Sequence, residues 1–125
     1  YNTDFSNEGG YFSAPNVTNV TVVGANDASE AIRLRAGTQG IFTNVVLNDF
    51  DEAFDLDGDT GDNPTGQGVL DGDLSVTDVT FNNVVTKLKN DTGFTFTEAD
   101  FISGDGNGTG TDISTWGAGW TVGVN

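Results

Sequence analysis

At 125 residues, with 19 acidic and four basic side chains and a net charge of −15, the chain is one domain or a piece of one. Its charge makes nucleic acid and anionic membrane surfaces poor partners, and no apolar run approaches the roughly 20 residues of a spanning helix. The absence of cysteine and histidine excludes disulfides, thiolate chemistry and Ser-His-Asp catalysis. Because the chain starts at Tyr1 and contains no methionine, we expect a processed chain or a fragment of a longer protein.

A repeated six-residue frame begins shortly after an N-terminal segment, residues 1–9, that itself hints at a partial coil. The frame reads apolar, Thr, Asn/Asp, Val, Thr/Val, apolar, and it occurs at residues 17–22, 42–47 and 76–81. Its β-branched residues favour strands. A glycine followed by an apolar residue precedes or follows these frames at Gly10, Gly40, Gly68 and Gly93, which suggests a column of tight corners. These glycines recur within the period of roughly 20–50 residues that is typical of a solenoid. The pattern predicts stacked coils over residues 10–96, with a β-sandwich as the rival fold.

A second set of frames contains all four basic residues of the chain. These frames are Ala31–Arg35, Ala53–Asp57 and Val85–Lys89, and stacking them aligns Leu34, Leu56 and Leu88 in one inward column. Stacked strands lie about 4.8 Å apart. The same alignment predicts a structural charge ladder in which Asp55 lies between Arg33 and Lys87, and Asp57 lies between Arg35 and Lys89. Such a ladder sets the register more than it adds stability, because exposed ion pairs contribute about 0–1 kcal/mol each.

An acidic insertion follows the second frame, and nine of the 19 acids lie between Asp49 and Asp73. The alternating oxygens of Asp55, Asp57 and Asp59 match the spacing of calcium loops, although glycine stands at the fourth position instead of the sixth. Since the charge ladder engages Asp55 and Asp57, the predicted calcium ligands are Asp59, Asp62, Asp71 and Asp73. The alternative is a solvated acidic loop without a bound ion.

The repeat ends near Thr97, and residues 97–125 are predicted to form an irregular C-terminal capping tail. Asp105–Gly110 is a glycine-rich loop, and both tryptophans, Trp116 and Trp120, follow within the last ten residues. Solenoids need an atypical terminal repeat over the open end of the core. We therefore expect Trp116 and Trp120 to pack as a cap, with a sugar-stacking platform and a docking surface for another chain as alternatives.

Between Gly10 and Phe96 the chain resembles right-handed parallel β-helix proteins of the pectin-lyase-like superfamily. The Gly-apolar, Thr-Asn-Val and Ala-Ile-Arg-Leu-Arg frames carry this resemblance. The resemblance implies an all-β fold, a right-handed parallel β-helix of about three coils, most like the C-terminal portion of secreted or cell-surface bacterial members. That superfamily includes polysaccharide lyases, glycoside hydrolases, adhesins and phage tailspikes, so the fold does not specify an activity.

A non-enzymatic extracellular structural or surface module is the favoured function, and enzymatic activity is left open. Arginine or lysine bases need a lowered pKa, whereas a neighbouring aspartate favours their charged form. The expected partners are upstream β-helix coils, a second copy or another surface protein, with neither nucleic acid nor membrane insertion. The alternative function is a β-helix module that acts on or binds acidic polysaccharide with calcium. Its candidate catalytic carboxylates are Asp49, Asp51, Asp55 and Asp57.

Overall fold

Three long strands and one short strand stack in parallel, in the order β1-β2-β3-β4. The computed structural model describes residues 12–58, 64–112 and 114. In chain order the elements are β1 (Asn16–Leu34), β2 (Gly40–Asp57), α1 (Thr65–Asp71), β3 (Leu74–Asp91), α2 (Glu98–Phe101) and β4 (Ile102–Asp105). An all-parallel sheet made of one strand per repeat confirms the predicted parallel β-helix, with three coils and the start of a fourth. Neither helix of the described residues is long and apolar enough to cross a membrane.

Each long strand bends at residues in the left-handed backbone region. In β2 these residues are Asn44 and Asp49, with φ of 58° and 64°, and in β3 they are Asp78 and Asn83, with φ of 56° and 51°. Asn19, with φ of 58°, makes the equivalent bend in β1. Asparagine and aspartate tolerate this conformation better than other residues with a Cβ. The Asn/Asp position of the repeated frame is therefore a corner, and Asn19, Asn44 and Asp78 form what we term the corner column.

The register of the repeated frame agrees with the sequence alignment. Val20 pairs with Val45 and Val45 pairs with Val79, and the same holds for the residues on either side of each. The inward positions form one continuous core whose fully buried members include Leu47, Leu56 and Val76. Phe54, also fully buried, meets Phe42, Phe81 and Phe101 edge-on at centroid distances of 5.2 to 6.4 Å. The aromatic contacts link the second coil, the third coil and helix α2.

The predicted charge ladder is wrong by two residues between the second and third coils. The structure pairs Arg33 with Asp55 but places Lys89 opposite Asp55, so that Lys87 is not its partner. The pairing keeps one constant offset along the whole of β2 and β3, and this offset is two residues larger than the predicted ladder required. A slip of two residues keeps every side chain on the same face. The charge pattern alone therefore could not distinguish the two registers.

The predicted leucine column and the second half of the predicted charge ladder also differ from the observed register. Leu56 lies opposite Asn90, not Leu88, and Leu88 lies opposite Phe54. Arg35 lies beyond the end of β1, and Asp57 lies opposite Asp91 in place of a lysine. Direct stacking of two aspartates is unfavourable unless cations compensate them.

The predicted glycine column is also wrong within the described residues. Gly40 pairs with Leu74, because the insertion after β2 folds into helix α1, which contains Gly68. Gly40 itself is conformationally required, since its φ is 145° and an added Cβ would lie 2.7 Å from the Pro15 carbonyl oxygen. Glycine is required at position 40 because the backbone there lies against Pro15, just before the first strand.

A glycine-rich strap leaves β4 and crosses the coils, and we term residues 106–111 the clasp. Asn107 Nδ2 donates to Asp78 Oδ1 at 3.4 Å, and the backbone N–H of Thr109 donates to Asn44 Oδ1 at 2.6 Å. Thr111 Oγ1 then donates to the carbonyl oxygen of Asn19 at 2.6 Å. Every second clasp residue thus contacts one member of the corner column, in the order β3, β2, β1.

Glycine alternates with these residues because the clasp lies directly on the sheet. A Cβ added at Gly108 would overlap the carbonyl oxygen of Val45, and one added at Gly110 would overlap Thr21 Oγ1. The clasp therefore returns the chain from the last coil to the first.

Two predicted segments lie outside the described residues. Residues 1–9 are among them, as are Trp116 and Trp120 of the predicted cap. The cap stays a prediction, and the last described contacts between the clasp and the coils place Thr111 beside β1.

Candidate cation-binding site

Three aspartates converge on the outer face of the sheet where β2 and β3 end. Asp55 and Asp57 share this face because alternate residues of a strand point the same way. Asp91 is the direct neighbour of Asp57 in β3. One carboxylate oxygen from each lies within 4.8 Å of the others, which is the spacing of ligands around a single metal ion. Calcium binds such oxygens at about 2.3–2.6 Å.

Two cations already contact this group. Arg33 Nη2 lies 2.6 Å from Asp57 Oδ2, and Arg33 Nε lies 3.4 Å from Asp55 Oδ2. Lys89 Nζ lies 3.3 Å from Asp91 Oδ2 and 3.7 Å from Asp55 Oδ1. These contacts connect all three coils, because Arg33 comes from β1 and Lys89 from β3.

The local charge remains negative despite these ion pairs. Glu30 lies 3.5 Å from Arg33, and Glu52 lies 3.3 Å from Lys89, so among the described residues two cations face five carboxylates. The net charge of the cluster is therefore −3. A bound divalent cation would reduce this charge to −1.

Asp55 is the most buried member of the triad. Only 2% of its surface is exposed, and Asp55 Oδ1 has no hydrogen-bond partner within the described part of the chain. Burial raises the pKa of Asp55, and the nearby Asp57 and Glu52 carboxylates add to this, while Lys89 and Arg33 oppose it. A buried carboxylate oxygen that accepts no hydrogen bond costs free energy, and a cation bound directly to it would offset that cost. The donor set of three carboxylates therefore fits a hard cation such as calcium.

The sequence-predicted ligands fall elsewhere. Asp71 ends helix α1, where its Oδ1 accepts a hydrogen bond of 2.9 Å from Gln67 Nε2. Asp73 Oδ2 accepts one of 3.4 Å from Gln39 Nε2. Neither belongs to a converging group of three acids among the described residues, and Asp59 and Asp62 lie outside them. A calcium site in the insertion stays a prediction.

Sequence reasoning missed Asp91 and set aside Asp55 and Asp57. The signal that could have found Asp91 is the constant offset between β2 and β3, which the repeated frame at residues 42–47 and 76–81 already sets. Carried forward, that offset places Asp91 beside Asp57. The charge frames favour a different offset, because their best match aligns Asp55 with Lys87 and not with Lys89.

The other outward charges and the candidate catalytic carboxylates make contacts of their own. Lys87 forms an ion pair with Asp105 of β4, and its Nζ lies 5.3 Å from the centre of the Phe81 ring. Asp49 Oδ1 accepts a hydrogen bond of 2.9 Å from Asn83 Nδ2, next to the second corner of the coil. Asp51 is exposed. These residues support the coil geometry and do not form a second converging site among the described residues.

Comparison with known proteins relates the chain to a family of β-helix domains. Residues 1–121 match a family model described as a pectate-lyase like beta helix domain. No curated protein and no solved structure matches the chain. The match to the family model covers nearly the whole chain.

Proposed function

This chain belongs to the pectate-lyase-like β-helix domain family, and we propose that it is a non-enzymatic extracellular structural module. In this proposal the β-helix is a rigid rod at the surface of a bacterial cell, extended by strand pairing with a partner or with further coils. The single observation that carries the proposal is the long edge of β3 that no described strand covers. Adhesion is the kind of role such a module serves.

The edge of β3 is only partly covered. β4 pairs with Val76, Thr77 and Val79, and from Thr80 to Asp91 no described residue forms a strand on that side of β3. An exposed strand edge presents unpaired N–H and C=O groups that template a further strand. Stacking of another coil is the direct continuation of the fold.

The cations of the sheet support a structural role over a catalytic one. Hydrogen bonding to Asp57 raises the pKa of Arg33, and hydrogen bonding to Asp105 raises the pKa of Lys87. Asp91 and Glu52 raise the pKa of Lys89 in the same way. A general base needs a pKa near the working pH. These three side chains are therefore held in the charged form, in which they cannot accept a proton.

The test measures turnover and edge exposure on the same chain. We expect no cleavage of acidic polysaccharide with or without calcium, against an active lyase as positive control. We also expect fast amide hydrogen exchange along residues 80–91 at positions not bonded to β2, and slow exchange at Val79. Turnover that disappears in Asp55→Asn would overturn the structural role, as would uniform protection of residues 80–91 in the isolated chain.

A second candidate function, a calcium-dependent module that binds acidic polysaccharide, rests on the aspartate triad. In this candidate Asp55, Asp57 and Asp91 hold calcium, which would supply a positive centre for a sugar carboxylate. The cluster charge of −3 becomes −1 with one calcium ion, so a further carboxylate would still meet net repulsion. Calcium at this site consequently favours a role in fixing the coils together.

Thermal unfolding with and without calcium tests the metal site. At a calcium concentration of about 100 times Kd, we expect the folded state to gain about 2.7 kcal/mol over the same chain in chelator. Asp91→Asn should abolish the gain, and the matched control Asp71→Asn should retain it. Loss of the gain in Asp71→Asn alone would place the ion in the insertion, as the sequence predicts, and no gain in the unsubstituted chain would remove calcium from the proposal.

A further inference from the structure

The clasp lies on the corner column as a ligand lies in its binding site. Eight hydrogen bonds join residues 107–111 to the three coils. Asn44 makes four of them. Its Oδ1 accepts from the backbone N–H of Thr109, from Thr109 Oγ1 and from the backbone N–H of Gly110 at 2.6, 3.0 and 3.1 Å. Its Nδ2 donates to the carbonyl oxygen of Gly110 at 3.4 Å. Asn44 is therefore the centre of the site.

The corner column accepts only one kind of segment. A Cβ added at Gly108 would lie 2.8 Å from the carbonyl oxygen of Asp78, and one added at Gly110 would lie 2.9 Å from Val46 Cγ2. Both distances are too short for a Cβ, so the segment needs glycine at these two positions. The residues between and beside the glycines are asparagine or threonine, whose side chains bond to the corner column. The column thus selects an extended segment in which glycine alternates with a small polar residue.

The clasp can leave the column while the coils stay folded. Residues 106–111 contain no apolar and no charged side chain, and Asn107 and Thr109 are exposed. A segment that is held by surface hydrogen bonds and buries no apolar side chain opens at a lower free energy than the core. Gly106 stands at its start with φ of 90°, and a Cβ there would meet nothing within 4 Å. This glycine is a hinge at which the direction of the chain can change.

We propose that the corner column binds the clasp of a second copy of this chain, so that two copies exchange clasps. Every copy carries both the column and the segment that fits it, and the eight hydrogen bonds are the same whichever chain provides the clasp. Exchange of an identical element is a low-cost route to a dimer. Because the clasp is uncharged, it adds no direct repulsion when it approaches a neighbour with a net charge of −15.

The clasp of the same chain competes with the clasp of a second copy. Its short connection to β4 gives it an effective concentration on the order of millimolar at its own column. Exchange therefore belongs to copies held at a high local concentration, or to a column that its own clasp has left. The net charge of each copy opposes the encounter, and salt screens this repulsion over a Debye length of about 8 Å at 0.15 M. Exchange should consequently increase with salt.

This inference goes beyond the structural role proposed above and does not depend on it. It uses the corner face of the coils, whereas the structural role uses the edge of β3. Hydrogen exchange along residues 80–91 tests the edge, and trapping of the clasp tests the exchange. Either proposal can fail while the other stands.

Cysteine cross-linking of full-length chains tests the exchange, because the chain contains no cysteine of its own. The backbone N–H of Thr111 donates to Thr21 Oγ1 at 3.0 Å, so these two positions lie side by side when a clasp is seated. The donor chain carries Thr111→Cys. The acceptor chain carries Thr21→Cys together with Gly108→Val, which keeps its own clasp off the column. A matched control acceptor has Val85→Cys in place of Thr21→Cys, because Val85 is 81% exposed and reports random collision.

In chelator and under mild oxidation, we expect at least about tenfold more mixed disulfide dimer with the Thr21→Cys acceptor than with the control acceptor. Adding Asn44→Gly to the acceptor should reduce the dimer to the control level, because it removes four of the eight hydrogen bonds. Cross-linking at the control level, or cross-linking that Asn44→Gly leaves unchanged, overturns the proposal. If Gly108→Val alters the circular dichroism of the coils, an acceptor without it is used at about 1 mM, where exchange competes with the chain's own clasp, and the same outcomes decide.

Discussion

Reversing the charge of Asp55 should destabilise the fold by about 3–5 kcal/mol, because a third cation would occupy a buried position between two half-exposed cations. Asp55 is 2% exposed and lies 3.4 Å from Arg33 Nε and 3.7 Å from Lys89 Nζ. At an effective dielectric constant near 20, each contact carries about 4–5 kcal/mol of attraction before desolvation. Asp55→Lys replaces both attractions by repulsion. Part of this repulsion is relieved because the long lysine side chain can extend its ammonium group into solvent.

Second-site changes then decide between the two registers. Adding Lys89→Asp to Asp55→Lys should restore about 1–2 kcal/mol, because a pair of opposite charge reappears in the column. Adding Lys87→Asp should restore nothing and should cost up to about 1 kcal/mol more, because Lys87 is the partner of Asp105 at a half-exposed site. Each single variant serves as the control for its double variant.

Urea unfolding followed by far-ultraviolet circular dichroism measures these free energies. Rescue by Lys87→Asp and none by Lys89→Asp would refute the register of β2 against β3 and support the ladder predicted from the charge frames.

Three further outcomes follow from particular contacts. Asn44→Ala should lower the free energy of unfolding in urea by about 2–4 kcal/mol, because it removes hydrogen bonds to the clasp and forces alanine into a left-handed conformation. Asn44→Gly removes the same hydrogen bonds without the backbone strain and should cost less. Equal losses in the two variants would contradict the strain argument. Phe54→Ala should cost about 3–5 kcal/mol because the ring is fully buried among three others, and a loss below about 1 kcal/mol would contradict the core assignment. Hydrogen bonds from Thr97 lower the pKa of Asp100, so its contribution to stability is present above the ordinary pKa of aspartate and is lost as the pH falls through the lowered value. A carbon-13 titration of the Asp100 carboxyl measures this shift, and a midpoint at or above the ordinary value would contradict it.

The sequence by itself determined the fold class and the register of the repeated frame, but it placed the corners at glycines, whereas the structure places them at Asn19, Asn44 and Asp78. The Thr-Asn/Asp-Val frame places β-branched residues on strands and a residue that tolerates positive φ between them, and both properties are local. Its three occurrences therefore sufficed to align Val20, Val45 and Val79 correctly. The fold followed because strands that repeat with the same inward positions can share one core only if they are stacked.

Only the tertiary structure decided how the second half of β3 aligns with β2, and therefore which residues form the aspartate triad. A strand has a period of two residues, so both candidate offsets of β3 against β2 put the charged residues on the same face. Backbone pairing past the corner at Asp49 and Asn83 selected the larger offset. That choice put Asp91 beside Asp57 and created the triad. The clasp could not be predicted either, because its contacts join positions far apart in the chain. The sequence indicates only a glycine-rich loop at these residues.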